Sequence, residues 1–286
     1  MVFSRKIDLH MHSTVSDGTD TPEEIVARVR EAGIGLFSVT DHDAIKAGGI
    51  ISPLLTAGDP TFVTGVEFSC RDEEGKYHIL GYGYDAAASP IRNLVEKGHR
   101  LRMEKVRSRV DFLVSEFGFS FPQEELDALF ALDNPGKPHI ANMMVRCGYA
   151  QSKEQAIREF IDLRRFKNEY VRPEEAIVSI RDSGGIPVLA HPSYGNGDQL
   201  ILGAEMDGRL RRLIDFGLQG VEGFYSGFTP RLSGEILSLA ERYGLYVTAG
   251  SDYHGTNKMV RLGDTGLNET DAWPEGLRRF VSAVGK

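Results

Sequence analysis

RKIDLHMHSTVSDGTDTPEEIVARVREAG, residues 5–33, carries the fold and the chemistry of this chain in outline. The run Arg5–His10 predicts a strand. Thr21-Pro22-Glu23-Glu24 predicts a helix start, with Thr as cap, Pro at the first position and Glu reaching back to the cap. That helix runs to about Ala32 and stops at Gly33. The same alternation recurs downstream. Strands are expected over Leu36–Thr40, Phe62–Ser69, Lys76–Tyr82, Ile186–His191, Gly220–Phe224 and Leu245–Gly250, and helices over Ile45–Ala57, Pro173–Ser183 and Thr229–Tyr243. Strand–helix–strand units give a parallel sheet, and seven strands can close it into a barrel; an open doubly wound sheet is the alternative.

The rhythm breaks once. More than a hundred residues separate His78 from His191, where a barrel unit needs about 30. The excess reads as helices over Ile91–Phe117, Gln123–Leu132, His139–Cys147 and Lys153–Asp162. The expected organisation is therefore a barrel domain from residues 1–89 and 173–286, with residues 90–172 inserted as a helical cap. Residues 90–175 carry 15 basic against 14 acidic side chains, and the remainder 18 against 27. A net charge of −8 argues against a general nucleic-acid-coating surface and leaves room for a local basic groove. Neither a membrane span nor a signal peptide is visible, and two cysteines, Cys70 and Cys147, are too few for a disulfide scaffold or a thiolate metal site. The expected setting is a reduced cytoplasm.

Six of the eight histidines fall at or near the end of an expected strand. His10 and His12 have the i, i+2 spacing that puts both rings on one side of a strand. Asp17 follows in a loop; His42 ends the second strand, Glu67 lies near the end of the third, His78 is in the fourth, His191 closes the fifth, and Asp252 and His254 follow the seventh. In a parallel barrel these ends share one rim, where active sites are built. So many imidazoles and carboxylates would repel on protonation unless cations held them. Nine donors exceed the three or four of one tetrahedral ion, so two or three divalent ions are expected. The nitrogen and oxygen donor set suits Mn²⁺, Fe²⁺ or Zn²⁺. Charge balance over three such ions favours a dianionic phosphoryl substrate. Asp41, and less so Asp43, would orient imidazoles from behind. Ser13, Ser69 and Cys70 read as supporting residues rather than nucleophiles.

With these residues placed, the chain resembles the PHP (polymerase and histidinol phosphatase) family. The motifs that carry the likeness are Asp8-Leu9-His10-Met11-His12-Ser13, Ser16-Asp17-Gly18, Thr40-Asp41-His42-Asp43, Gly65-Val66-Glu67, His78-Ile79-Leu80-Gly81, Ala190-His191-Pro192 and Gly250-Ser251-Asp252-Tyr253-His254-Gly255. The resemblance implies a distorted (β/α)7 barrel, a trinuclear metal centre and phosphoester hydrolysis by metal-activated water. It implies that His10, His12, Glu67 and Asp252 hold one ion, that Glu67, His78 and His191 hold a second, and that Asp17, His42 and His254 hold a third. Asp17, His42, Glu67, Asp252 and His254 are then the catalytic set. The insertion and Gly136-Lys137-Pro138-His139-Ile140-Ala141 resemble the TrpH/YciV-like branch, which includes nucleoside 3′,5′-bisphosphate phosphatases and a 5′-to-3′ ribonuclease acting on short RNA.

Such substrates carry a second phosphate. Arg102, Lys105 and Arg109 fall on one face of the long inserted helix, Lys137 and His139 follow a Pro-Gly turn, and Lys167 lies in a basic stretch. Arg102, Lys137, His139 and Lys167 are the expected phosphate contacts. The expected partner is a nucleotide or short oligonucleotide, with no duplex and no membrane; the oligomeric state is not legible. Histidinol-phosphate phosphatase would use the same metal residues. An amidohydrolase of the C–N type would need a bridging Lys where Glu67 stands. A non-catalytic metal-dependent binding module is the rival from another class.

Overall fold

In the computed structural model, which describes residues 6–164, 169–195, 199–268 and 271–285, the chain is an α/β protein. Lys167 lies outside the described residues. Strand β1 (Ile7–Asp8) leads to helix α1 (Pro22–Glu31), β2 (Leu36–Phe37), α2 (Lys46–Ile51) and β3 (Thr61–Phe62). The expected cap is present: Glu24 N donates to Thr21 Oγ1 (3.2 Å) and Thr21 N to Glu24 Oε2 (2.8 Å). The strands β1, β2 and β3 pair in parallel in that order.

A second, five-stranded sheet follows: β4 (Gly65–Asp72), β5 (Gly75–Tyr82), β6 (Ile186–Leu189), β7 (Gly220–Tyr225) and β8 (Tyr246–Gly250), paired in chain order. Here the structure departs from the expected all-parallel sheet. β4 and β5 form an antiparallel hairpin in register from Gly65↔Tyr82 to Asp72↔Gly75, and β6 is antiparallel to β5. The reason is chain length. Glu73 and Glu74 alone join β4 to β5, whereas a parallel crossover needs a dozen residues or more. The expected strand Phe62–Ser69 is likewise split into β3 and β4, which belong to different sheets.

The two sheets meet where the short strands run on. Leu9 N donates to Ala249 O (2.9 Å), His12 N to Tyr253 O (2.8 Å) and Asp252 N to His10 O (2.7 Å). On the other side, Glu67 N donates to Asp41 O (3.2 Å) and Asp43 N to Glu67 O (2.9 Å). The segments that follow β1, β2 and β8 are thus laced to one another and to β4.

Helix α3 (Ser89–Phe117) opens the inserted stretch. It is followed by α4 (Gln123–Phe130), α5 (Lys137–Arg146) and α6 (Lys153–Ala156), the last continuing as a π-helical turn over Ile157–Ile161. α3 serves two cores. Ile91, Leu94 and Leu101 pack with the sheet residues Phe68, Ile79 and Tyr82, whereas Val106, Val110 and Leu113 pack with Ile140, Met143, Met144 and Ile161. Helices α7 (Pro173–Asp182) and α9 (Pro230–Arg242) stand as expected, and α8 (Gly203–Asp215) and α10 (Glu275–Val284) were not anticipated. Among the described residues no helix is long and apolar enough to cross a membrane. Cys70 and Cys147 are both free.

Candidate metal centre

The nine residues spread between His10 and His254 come together. Glu67 on β4 is at the middle: its Oε2 lies 3.4 Å from His10 Nε2, 3.2 Å from His12 Nε2 and 3.1 Å from His42 Nδ1. Its Oε1 lies 2.9 Å from His78 Nδ1 and 3.3 Å from His191 Nε2. Asp252 Oδ1 faces His10 (3.5 Å), His12 (3.4 Å) and His254 Nδ1 (3.4 Å). Asp17 faces His254 Nε2 (3.4 Å), His12 Nδ1 (3.7 Å) and His42 Nε2 (4.0 Å). Three groups have ligand atoms within 4.8 Å of one another: His12, Asp17, His42 and His254; His10, His12 and Glu67; His42, Glu67 and His78.

The backbone is bent to make this possible. Among the described non-glycine residues, those with positive φ are Asp43 (50°), His191 (26°) and Asp252 (58°), all at or beside this cluster. Gly250 is required by close approach. A Cβ there would run into His10 Cβ and Glu222 Oε1, so this strand end can lie against His10 only without a side chain.

Whether the set suits cations can be tested on its unpaired atoms. His10 Nε2, His12 Nε2 and Glu67 Oε2 are buried without a hydrogen-bond partner. Leaving buried polar atoms unpaired is costly, and a divalent cation would satisfy all three at once. The donors behind them are already fixed. Glu222, fully buried on β7, takes His10 Nδ1 on Oε1 (3.0 Å) and His191 N on Oε2 (2.7 Å), which leaves the far nitrogen of His10 as a lone pair. The residues fit the group.

Electrostatics agree. Burial opposes charge on Asp17, Glu67 and Asp252, yet the surrounding imidazoles hold all three carboxyls well below the usual range. Burial would also lower His12, but Asp252 and Glu67 lift it to about 9. Burial keeps His42 well below its ordinary value.

The centre opens into a cavity of about 290 Å³ lined by Asp17, Glu67, His191, His254, Asn257 and Lys258, among others. A second cleft of about 260 Å³ shares Asp17, His78 and Pro138 with it and gathers five basic side chains: Lys76, Arg102, Lys105, Arg109 and Lys137. Arg102 is tied bidentately to Asp43 Oδ2 (3.0 and 2.7 Å) and to Ser69 Oγ (3.0 Å). Lys137 pairs with Asp162. Burial beside Arg102 and Arg109 lowers Lys105 to about 7. His139 is turned to the start of α5, where its Nδ1 accepts from Gly136 N (3.0 Å).

Asp41 differs from its expected part. It bonds not an imidazole but Ser13 (N, 2.8 Å; Oγ, 2.7 Å) and Ser16 Oγ (2.6 Å), and reaches His12 Nδ1 only through Ser16 (3.5 Å). The direct imidazole partner is Glu222, which carries no motif and sits mid-strand. Lys76, Tyr225 and Lys258 were missed as well. Of these, Lys258 follows His254 by only four residues, which was the one available signal. Burial pushes the Cys70 thiol up, so it is no thiolate nucleophile.

Fold, a cluster of candidate metal ligands and a charged cleft together describe an enzyme site that could hold cations. The chain belongs to the PHP domain family, which it matches over residues 8–171. It is similar to a phosphoribosyl 1,2-cyclic phosphate 1,2-diphosphodiesterase of Eggerthella lenta (31% identity; 87% of this chain, 94% of the relative). It is also similar to the 5′-3′ exoribonuclease Rnm of Salmonella typhimurium (29%; 90% and 87%) and to a 3′,5′-nucleoside bisphosphate phosphatase of Chromobacterium violaceum (29%; 92% and 91%). Among solved structures, a Bifidobacterium adolescentis protein assigned as a metal-dependent phosphoesterase superposes with a TM-score of 0.83 at 25% identity, covering 96% of this chain and 95% of that one.

Proposed function

We propose that this chain is a metal-dependent phosphoesterase whose substrates are nucleoside 3′,5′-bisphosphates, the 5′ end of short RNA, or both. The observation that carries the reading is the junction at Asp17 and His78. There a cluster of unpaired buried ligand atoms adjoins a cleft with five basic side chains. One phosphate would react at the cluster while a second rests in the cleft. The bisphosphate phosphatase and exoribonuclease among the relatives support this assignment.

Two or three divalent ions, Mn²⁺, Fe²⁺ or Zn²⁺, would be held by His10, His12, Asp17, His42, Glu67, His78, His191, Asp252 and His254. Bound there, they supply Lewis acidity at phosphoryl oxygens and acidify a water. The protein does the rest. Glu222 keeps the proton of His10 on Nδ1, and Glu67 offers one oxygen to His10, His12 and His42 and the other to His78 and His191. Arg102, Lys105 and Lys137 would bind and orient the non-reacting phosphate, Arg102 held ready by Asp43. The two sheets, three strands and five, would together form a distorted barrel, supported by the Leu9–Ala249 and Asp41–Glu67 hydrogen bonds between them. Residues 90–172 would be its inserted cap, supported by the separate apolar cluster around Val106 and Met143.

A panel of 3′,5′-bisphosphoadenosine, short 5′-phosphorylated RNA, a phosphoribosyl 1,2-cyclic phosphate and histidinol phosphate, assayed with Mn²⁺, tests the reading. Release from either of the first two, abolished in Asp17→Asn, is expected. Turnover of the cyclic phosphate alone would move the assignment to the activity of the Eggerthella relative. No turnover of any member, with Mn²⁺ demonstrably bound, would leave a binding module instead.

A further inference from the structure

Lys258 is a cation placed where a cation has a cost. It follows the 3₁₀ turn Gly255–Asn257, and that turn is anchored: Asn257 Nδ2 donates to Asp17 O (2.8 Å), Lys153 Nζ of α6 donates to Asn257 O (2.7 Å), and Thr256 N donates to Thr19 Oγ1 (2.9 Å). The ammonium lies against Asp252 Oδ2 and 3.0 Å from Tyr225 Oη, and the Tyr225 hydroxyl itself donates to Asp252 Oδ2 (2.9 Å). Asp252 is therefore divided: Oδ1 faces three histidines and Oδ2 faces Tyr225 and Lys258.

Tyr225 already satisfies Oδ2, so holding that oxygen does not require a lysine. A positive charge on a carboxylate that would hold cations weakens their attraction to it. The charge becomes favourable once an anion enters. Lys258 lines the same cavity as Asp17, Glu67, His191 and His254, its side chain is 35% exposed there, and an ammonium has three donors where Asp252 and Tyr225 take two. The basic cleft does not include it.

We propose that Lys258 contacts the phosphoryl group that reacts, donating its remaining N–H to a non-bridging oxygen, while the residues of the basic cleft serve the other phosphate. This rests on the phosphoesterase reading above. Isothermal titration of the Mn²⁺-loaded protein with inorganic phosphate, alongside Mn²⁺ titration and elemental analysis, tests it in wild type, Lys258→Gln, Lys258→Met and Lys258→Arg. Phosphate affinity should fall about ten- to a hundredfold in the two neutral variants, the loss of one charge-assisted hydrogen bond, and be largely kept in Lys258→Arg. Mn²⁺ should bind the neutral variants as well as wild type or more tightly. Unchanged phosphate affinity overturns the proposal. So does a parallel fall in Mn²⁺ affinity, which would make Lys258 a positioning residue for Asp252. Wild-type protein that binds Mn²⁺ but no phosphate would overturn the phosphoesterase reading itself.

Discussion

Glu222→Gln isolates the tautomer of His10. Both carboxylate oxygens accept: Oε1 from His10 Nδ1 at 3.0 Å and Oε2 from the His191 amide at 2.7 Å, in a site with no solvent exposure. Glutamine offers one acceptor and one donor, so one contact must become donor against donor. The amide N–H of His191 cannot change. The imidazole can, by moving its proton from Nδ1 to Nε2. That relaxation spares the fold the 1–3 kcal/mol of an unpaired buried group, but it puts a proton on the nitrogen that faces Glu67 and Asp252. Loss of such an outer partner typically lowers metal affinity or activity by about 10- to 100-fold, which corresponds to roughly 1.4–2.8 kcal/mol. Titration with Mn²⁺ should therefore show weaker binding in Glu222→Gln, while the melting temperature in chelator changes little. Nuclear magnetic resonance of ring ¹⁵N should report a proton on Nε2 of His10. Wild-type Mn²⁺ affinity in this variant would refute the role of Glu222.

Lys137→Ala should raise KM for a bisphosphate far more than for a simple aryl phosphate. Its ion pair with Asp162 is about a third exposed, so removing it costs the fold at most about 1 kcal/mol; equal effects on both substrates would reject a second-phosphate subsite. Anion binding in the cleft should take up a proton near pH 8. Lys105, lowered to about 7, there holds fewer protons than an unfolded lysine, so this group alone makes stability rise with pH between about 7 and 10.5; a bound anion reverses that by recharging it. Titration heats with inorganic phosphate should thus depend on the ionisation enthalpy of the buffer in wild type and less in Lys105→Met. Cation binding should do the opposite at pH 7. With its pKa near 9, His12 is protonated there and must give up its proton to bind a metal, and a pH-stat during Mn²⁺ addition should record the release.

The nine candidate ligands that the structure gathers were readable because most of them sit in short motifs at or just past the end of an apolar run, and strand ends on one rim converge whatever the details of the sheet. The hairpin was misread as two parallel strands because Phe62–Ser69 and Lys76–Tyr82 have ordinary strand composition. Only the two-residue Glu73-Glu74 connection excludes a crossover. Arg102 was legible as a cation on the right helix face, but not its clamp on Asp43, 59 positions away.

From sequence alone, then, came the residue types gathered at the candidate site and the family whose motifs they follow. Periodicity and spacing constrain those locally. Tertiary structure alone decided the rest. Glu222 as the partner of His10, Gly250 as the gap that lets β8 lie beside it, and Lys258 against Asp252 are contacts between distant segments. A partner fixed by packing leaves no periodic trace in the chain.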